Sequence, residues 1–109
     1  MEINIVEYLG ADGSKPFEKW FRRLNAMAAA KITTALYRME LGNYSNVEGV
    51  GAGVFEYKIH FGAGYRICFG QEGEELVILL GGGTKKRQSK DIQEAKALWL
   101  EYKKSKRRV

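Results

Sequence analysis

Three side chains near the middle of the 109-residue chain have types and spacing that could do chemistry together. Phe55, Tyr57, Ile59 and Phe61 alternate with Glu56, Lys58 and His60. After Gly62-Ala63-Gly64, Tyr65, Ile67 and Phe69 alternate with Arg66 and Cys68. A period of two belongs to strands buried on one face, and the glycine-bearing joint makes the pair a β-hairpin. A three-residue loop, 62–64, pairs 61 with 65, 60 with 66, 59 with 67 and 58 with 68. Every aromatic and aliphatic side chain then shares one face, and a one-residue slip would undo that. Lys58, His60, Arg66 and Cys68 share the other face, with His60 opposite Arg66. Such a cationic cluster suits phosphate. Arg offers a planar fork of donors and Lys a point charge. His titrates near neutrality and can give or take a proton. Lys85-Lys86-Arg87 follow the apolar run 76–80 and could close the other end of the groove. The plainer reading is that Lys58 and His60 solvate the outer face of the hairpin.

Other features carry less. The segment 81–87, GGGTKKR, lacks the spacing of a nucleotide-binding P-loop. Its glycines suit a tight strand exit or a close backbone approach. Glu56, Glu72, Glu74 and Glu75 form no obvious carboxylate pair. Cys68 reads as a small buried hydrophobe, and Phe17, Trp20, Phe21 and Trp99 as core. One cysteine and one histidine leave no internal disulfide framework or multi-thiolate metal site. No metal or cofactor is expected.

The net charge is +5, and it is uneven. Residues 85–109 hold ten basic and three acidic side chains, and residues 1–84 hold eight and ten. A positive field confined to one quarter of a small protein points to a polyanion, most commonly nucleic acid. The alternative is a solvated helix with a basic tail, Lys103 to Arg108. Apolar residues at 45% and charged residues at 28% fit a single soluble domain spanning 1–109. No run approaches the length of a membrane helix. The acidic start lacks the basic region of a secretory signal. A reducing cytoplasmic location is therefore expected.

The elements that must position these residues follow from periodicity. Residues 2–9 read as a first strand. Asp12-Gly13-Ser14 is turn chemistry, with Ser14 as N-cap and Pro16 in the first turn of a helix. Phe17, Trp20, Phe21 and Leu24 form its apolar stripe. Asn25 breaks that helix. A second runs from about Met27 to Leu41, with Ile32, Ala35, Leu36 and Met39 on one face, and Gly42 stops it. Residues 43–53 read as loop. After the hairpin, residues 75–81 form a central strand that is apolar on both faces, broken by Gly81-Gly82-Gly83. A last helix opens at Gln88 or Ser89 and carries Ile92, Ala95, Leu98, Trp99 and Tyr102. The order β-α-α-β-β-β-α predicts an α+β domain. Its antiparallel sheet packs against an N-terminal helical hairpin, and its polar face stays open.

This layout resembles the RelE/ParE superfamily of bacterial toxins. The segments FEYKIHFGAGYRICF (55–69) and VILLGGGTKKRQSKDIQEAKALW (77–99) are similar to the HigB-like branch, called addiction module killer proteins. The resemblance covers nearly the whole chain. It implies the toxin of a type II toxin–antitoxin pair, an endoribonuclease (mRNA interferase) that inhibits translation by cleaving message on the ribosome without a metal. The RNA's own 2′-hydroxyl attacks the adjacent phosphate. By position, Arg66 matches the sheet arginine that stabilises the transition state. Lys58 and His60 match basic residues of the preceding strand, and Lys86 or Arg87 the second basic site. The implied catalytic set is Arg66, His60, Lys58 and Lys86, with Lys85, Arg87 and Lys90 binding RNA. The tyrosine that some family nucleases carry after this site falls near Ile92 here. Expected partners are the ribosome, mRNA and a helix-turn-helix antitoxin, with neither membrane nor small-molecule substrate. Inhibition of DNA gyrase, the activity of the ParE side, is the competing implication. Nucleic-acid binding without toxicity is a third.

Overall fold

A computed structural model describes residues 3–74 and 76–107. Residue 2 of the first expected strand, Glu75 of the central one and Arg108 of the tail lie outside the described residues. The chain is α+β with a five-stranded mixed sheet and a C-terminal helix. In chain order come β1 (Asn4–Glu7), α1 (Pro16–Phe21), α2 (Ala26–Glu40), β2 (Val47–Gly51), β3 (Val54–Ile59), β4 (Tyr65–Glu72) and β5 (Leu76–Thr84). A 3₁₀ turn, Lys85–Arg87, leads directly into α3 (Gln88–Arg107). The strands lie in the order β1-β5-β4-β3-β2.

Local chemistry explains the helix ends. Lys15, not Ser14, is the N-cap of α1 and gives no side-chain bond. Pro16 needs no partner for its nitrogen, and the Glu18 N–H donates to the Glu7 carboxylate at 3.0 Å. Strand β1 therefore caps the helix that follows it. Asn25 does more than interrupt: its side chain accepts from the Ala28 N–H at 2.8 Å and starts α2. Gly42 ends α2 with φ +83, a conformation glycine adopts without strain. Ala28, Ile32, Ala35 and Met39 form the buried face of α2.

The sheet departs from expectation in four ways. First, it is not wholly antiparallel, because β1 pairs in parallel with β5, Asn4 opposite Leu76 through Glu7 opposite Leu79. Second, part of the expected loop 43–53 is strand β2, joined to β3 through Ala52-Gly53. Both residues have positive φ, +56 and +80, as a two-residue turn of the hairpin type requires. Third, the β3–β4 register is Lys58 opposite Arg66 and Ile59 opposite Tyr65. Five residues, 60–64, lie outside the ladder instead of three. The shift is two residues, so each side chain keeps its expected face. Fourth, β5 runs through all three glycines to Thr84. A Cβ at Gly82 would come within 2.4 Å of the Trp20 ring, and one at Gly83 within 1.9 Å of Asp91 Oδ2. The glycines let α1 and α3 approach the strand.

Two apolar layers result, one on each face. Phe17, Trp20, Ile32, Met39, Tyr57 and Phe69 belong to the core under α1 and α2. Val54, Cys68, Ile78, Leu80, Ala95 and Trp99 form the core under α3. The polar face is therefore not open as expected; α3 covers much of it. A strand with apolar side chains on both faces needs cover on both, and β5 supplies Val77 and Leu79 to one core and Ile78 and Leu80 to the other. Trp99 lies against Gly70, where a Cβ would fall 2.3 Å from its ring. No helix among the described residues is long and apolar enough to cross a membrane.

Candidate functional site

Lys58, Arg66 and Gly83 stand in one row across β3, β4 and β5. Side chains opposite one another on paired strands point the same way, so Lys58 and Arg66 share the α3 face. Glu56 and Glu48 share it too, since Glu56 pairs with Cys68 on one side and Glu48 on the other. The expected cationic cluster is thus a pair of cations, Lys58 and Arg66, beside a pair of carboxylates, Glu48 and Glu56, in the neighbouring row. Lys58 Nζ donates to Glu48 Oε2. That bond, then the lysine's charge, holds the Glu48 carboxyl below its ordinary value. Arg66 Nε lies 3.4 Å from Glu56 Oε1, with the two side chains 14% and 1% exposed. The contact is an ion pair but not a hydrogen bond, and the Nε finds no other acceptor.

The helix covers the Glu56–Arg66 contact and leaves Glu48 and Lys58 more open. Gln88 Nε2, on the first residue of α3, donates to Glu56 Oε1 at 2.9 Å. Asp91, one turn on, sits over Gly83 with its Oδ2 buried and unbonded. Burial raises the Asp91 carboxyl, with Arg87 pulling it back. Burial also pushes the Cys68 thiol up to about 12, helped by Glu56 and Asp91. Cys68 is buried, as its sequence setting suggests. Glu56, Gln88 and Asp91 were not marked as site residues by the sequence. The one signal was Glu56 alternating in phase with Lys58, at a position facing Arg66's side of the hairpin.

The unpaired positive charge lies at the end of the row. Lys85, Lys86, Arg87 and Lys90 are exposed, and no ion pair among the described residues uses them. The Lys85 N–H donates to the Gly64 carbonyl at 3.1 Å. Thr84 stands opposite Tyr65. The 3₁₀ turn is thereby fastened beside the β3–β4 loop, with its cations beyond Arg66. His60 is placed elsewhere. It lies past the last paired residues of β3, is exposed, and lines a cleft against α2 instead of standing opposite Arg66. Of the residues expected to act together, the fold brings Lys58, Arg66 and the 85–87 run to one end of the sheet and leaves His60 outside. Ile92 is half-buried on α3, and Tyr102 stacks on Trp99 at 5.1 Å in the α3 core. No group of three or more His, Cys, Asp or Glu side chains suited to a metal occurs among the described residues.

No family model matches the chain. Over 83 residues it is 42% identical to an uncharacterized protein of Haemophilus influenzae, a match covering 75% of this chain and 84% of that protein.

Proposed function

The chain belongs to one family with that Haemophilus influenzae protein, and we propose that it is the toxin of a type II toxin–antitoxin pair with a RelE/ParE-like fold, acting on RNA at the ribosome. The observation that carries this reading is the run of four exposed, unpaired cations at Lys85, Lys86, Arg87 and Lys90, fixed at the end of the sheet that holds Lys58 and Arg66. Such a run binds a phosphate backbone and orders it along one edge of the molecule. The motif resemblance over 55–69 and 77–99 supports the reaction. In it the 2′-hydroxyl loses its proton to water as its oxygen attacks the adjacent phosphorus, the bond from phosphorus to the 5′-oxygen breaks, and the 5′-oxygen takes a proton from water. The products are a cyclic phosphate and a free 5′-hydroxyl. Arg66 and Lys86 are the groups we assign to the negative charge on the phosphoryl oxygens in the transition state, with Lys85, Arg87 and Lys90 holding the strand. Lys58, tied to Glu48, and Glu56, beneath Arg66, position the row. The cytoplasm, a helix-turn-helix antitoxin and the ribosome are the setting this reading requires.

The charge pairing favours one competing reading. Lys58 and Arg66 are each neutralised by a carboxylate, and inhibition of DNA gyrase by binding needs no catalytic cations there. Induction from a tight promoter, with mapping of message 5′ ends, separates the two. The parent, Arg66→Lys and a triple Lys85→Ala, Lys86→Ala, Arg87→Ala variant run side by side. New 5′ ends within translated codons are expected for the parent and are lost in both variants. Growth arrest with DNA breaks and no new ends would replace the nuclease reading with gyrase inhibition. Harmless induction would leave nucleic-acid binding without toxicity.

A further inference from the structure

A cleft of about 280 Å³ opens between α2 and the end of β3. Lys31, Thr34 and Arg38 line it from α2, Asn46 from the segment before β2, and His60 and Phe61 from the β3–β4 loop. Lys31 and Arg38 are seven residues apart, two turns along one helix face, or about 10 Å. No carboxylate among the described residues lines the cleft. None of the ion pairs among the described residues uses Lys31, Arg38 or His60. Lys58, also on its wall, has its ammonium on Glu48 and adds little charge.

One of the positive groups is held in place. Lys31 Nζ sits 5.4 Å from the centroid of the Phe61 ring, a cation–π contact that fixes it above the loop carrying His60. Arg38 presents a guanidinium fork, the donor geometry that matches phosphate. The Asn46 carbonyl accepts from the Lys58 N–H, which fixes the backbone that carries the Asn46 amide. Thr34 contributes no donor, because its hydroxyl already donates to the Ala30 carbonyl at 3.0 Å. A concave site with a lysine held on an aromatic ring, an arginine two turns along the same helix, a neutral amide donor and an imidazole, and no acid among the described residues to balance them, is completed by an anion. A water takes about 30 Å³ of liquid, so the space takes a phosphate and part of what the phosphate is attached to.

We propose that this cleft is a phosphate-binding site separate from the Arg66 row. Lys31 and Arg38 supply the charge, Asn46 a neutral donor, and His60 closes the side toward the loop. The site stands whether or not the chain cleaves RNA, because neither Arg66 nor Lys86 lines it. It also gives a role to His60, which lies outside the β3–β4 ladder while Lys58 stands opposite Arg66. The phosphate belongs to a nucleic-acid strand or to a free phosphomonoester, and the two are separable by titration.

His60 is the one histidine of the chain, so its ring resonances in NMR are assigned without ambiguity to the wall of this cleft, and the Lys31 and Arg38 variants separate binding here from binding at the 85–87 turn. Inorganic phosphate, adenosine 5′-monophosphate and an oligouridylate with a 5′-hydroxyl are titrated into the full chain at constant ionic strength, with chloride as control. Saturable movement of the His60 signals is expected with at least one phosphate probe and not with chloride. The Lys31→Ala, Arg38→Ala double variant should bind about tenfold more weakly or worse, the loss of charge-assisted bonds. Both positions are exposed. Arg38→Gln, which keeps the length and loses the charge, serves as a second variant and should weaken binding in the same direction. Tighter binding of the oligouridylate assigns the site to a strand, and tighter binding of the monophosphate to a phosphomonoester; both uphold it. No saturation with any probe, or parent-like affinity in both variants, overturns it. Message 5′-end mapping does not enter this test, so the nuclease reading and the phosphate site fail independently.

Discussion

Arg66 Nε lies 3.4 Å from Glu56 Oε1, and Glu56 is 1% exposed beneath it. Two near-buried charges hold each other, and Gln88 from α3 completes the contact. Removing one partner of such a pair strands the other and costs about 3–5 kcal/mol. Arg66→Ala is therefore expected to lower stability in urea unfolding as well as any activity. The Glu56→Gln, Arg66→Met double variant should recover much of the loss, since no charge is left buried. A double variant no more stable than Arg66→Ala would show the pair is not coupled. Loss of toxicity in Arg66→Ala alone is for this reason a poor test of chemistry, and Arg66→Lys is the better one.

The glycines of β5 make a second prediction. Gly82→Ala places a methyl group 2.4 Å from the Trp20 ring, which is 9% exposed and packed in the core. Overpacking of that kind costs about 1–3 kcal/mol. Gly49→Ala, on β2, meets only Phe55 at an ordinary 3.6 Å, and should change stability by about 0.5 kcal/mol or less. Equal urea midpoints for the two variants would contradict the close approach of α1 to the sheet.

Cys68 should be chemically silent in the native protein. With its thiol pushed up to about 12 by burial, only about one molecule in ten thousand carries the reactive thiolate at pH 8. Reaction with a disulfide reagent should be negligible until denaturant is added, then complete. Fast labelling of the folded chain would mean that α3 leaves the sheet readily.

Asp91 gives a pH dependence with a definite sign. Burial raises its carboxyl above 3.8, opposed in part by Arg87, so the folded chain binds this proton more tightly than the unfolded one. The stability it contributes is full below its ordinary value and is lost as pH rises through the folded value. Asp91→Asn keeps the position neutral at every pH. The variant should be more stable than the parent at neutral pH, and the gap should close as pH falls below about 4. A variant less stable at neutral pH would mean the ionised carboxylate is favourably held.

What the sequence made legible was faces and element types. Alternation over 55–69 put Lys58 and Arg66 on one face, and the fold keeps them there. Alternation cannot say which residue pairs with which, because a shift of two preserves every face. His60 was for that reason set opposite Arg66, and Lys58 stands there instead. Strand β2 was missed because Gly49, Gly51 and Gly53 read as loop, and because Ala52-Gly53 lacks the Asn or Asp that usually marks a two-residue turn. The cover over the polar face was legible in principle. LVILL at 76–80 is apolar on both sides, and the stripe Ala95, Leu98, Trp99 needed something to cover. The pairing of Lys58 with Glu48 has no local signal, since the two meet only once β2 and β3 are in register.

Strand β1 is the first to be made, and among the described strands it pairs only with β5, the last. Their partners are about seventy residues apart, as Asn4 opposite Leu76 shows. Non-local pairing of this kind slows folding, because loop-closure entropy is lost before any contact repays it. The order of events should run from the local β2–β3 and β3–β4 hairpins to β5, with β1 docking last. A chain truncated before Leu76 would have α1 and α2 carrying Phe17, Trp20, Ile32 and Met39 with no finished sheet beneath them. Such a fragment is a substrate for proteolysis, and the cation run at 85–87 would never have been made. The Arg66 row and the basic edge both need β3, β4 and β5 together with residues 85–90, so any activity they carry depends on all of these segments being present.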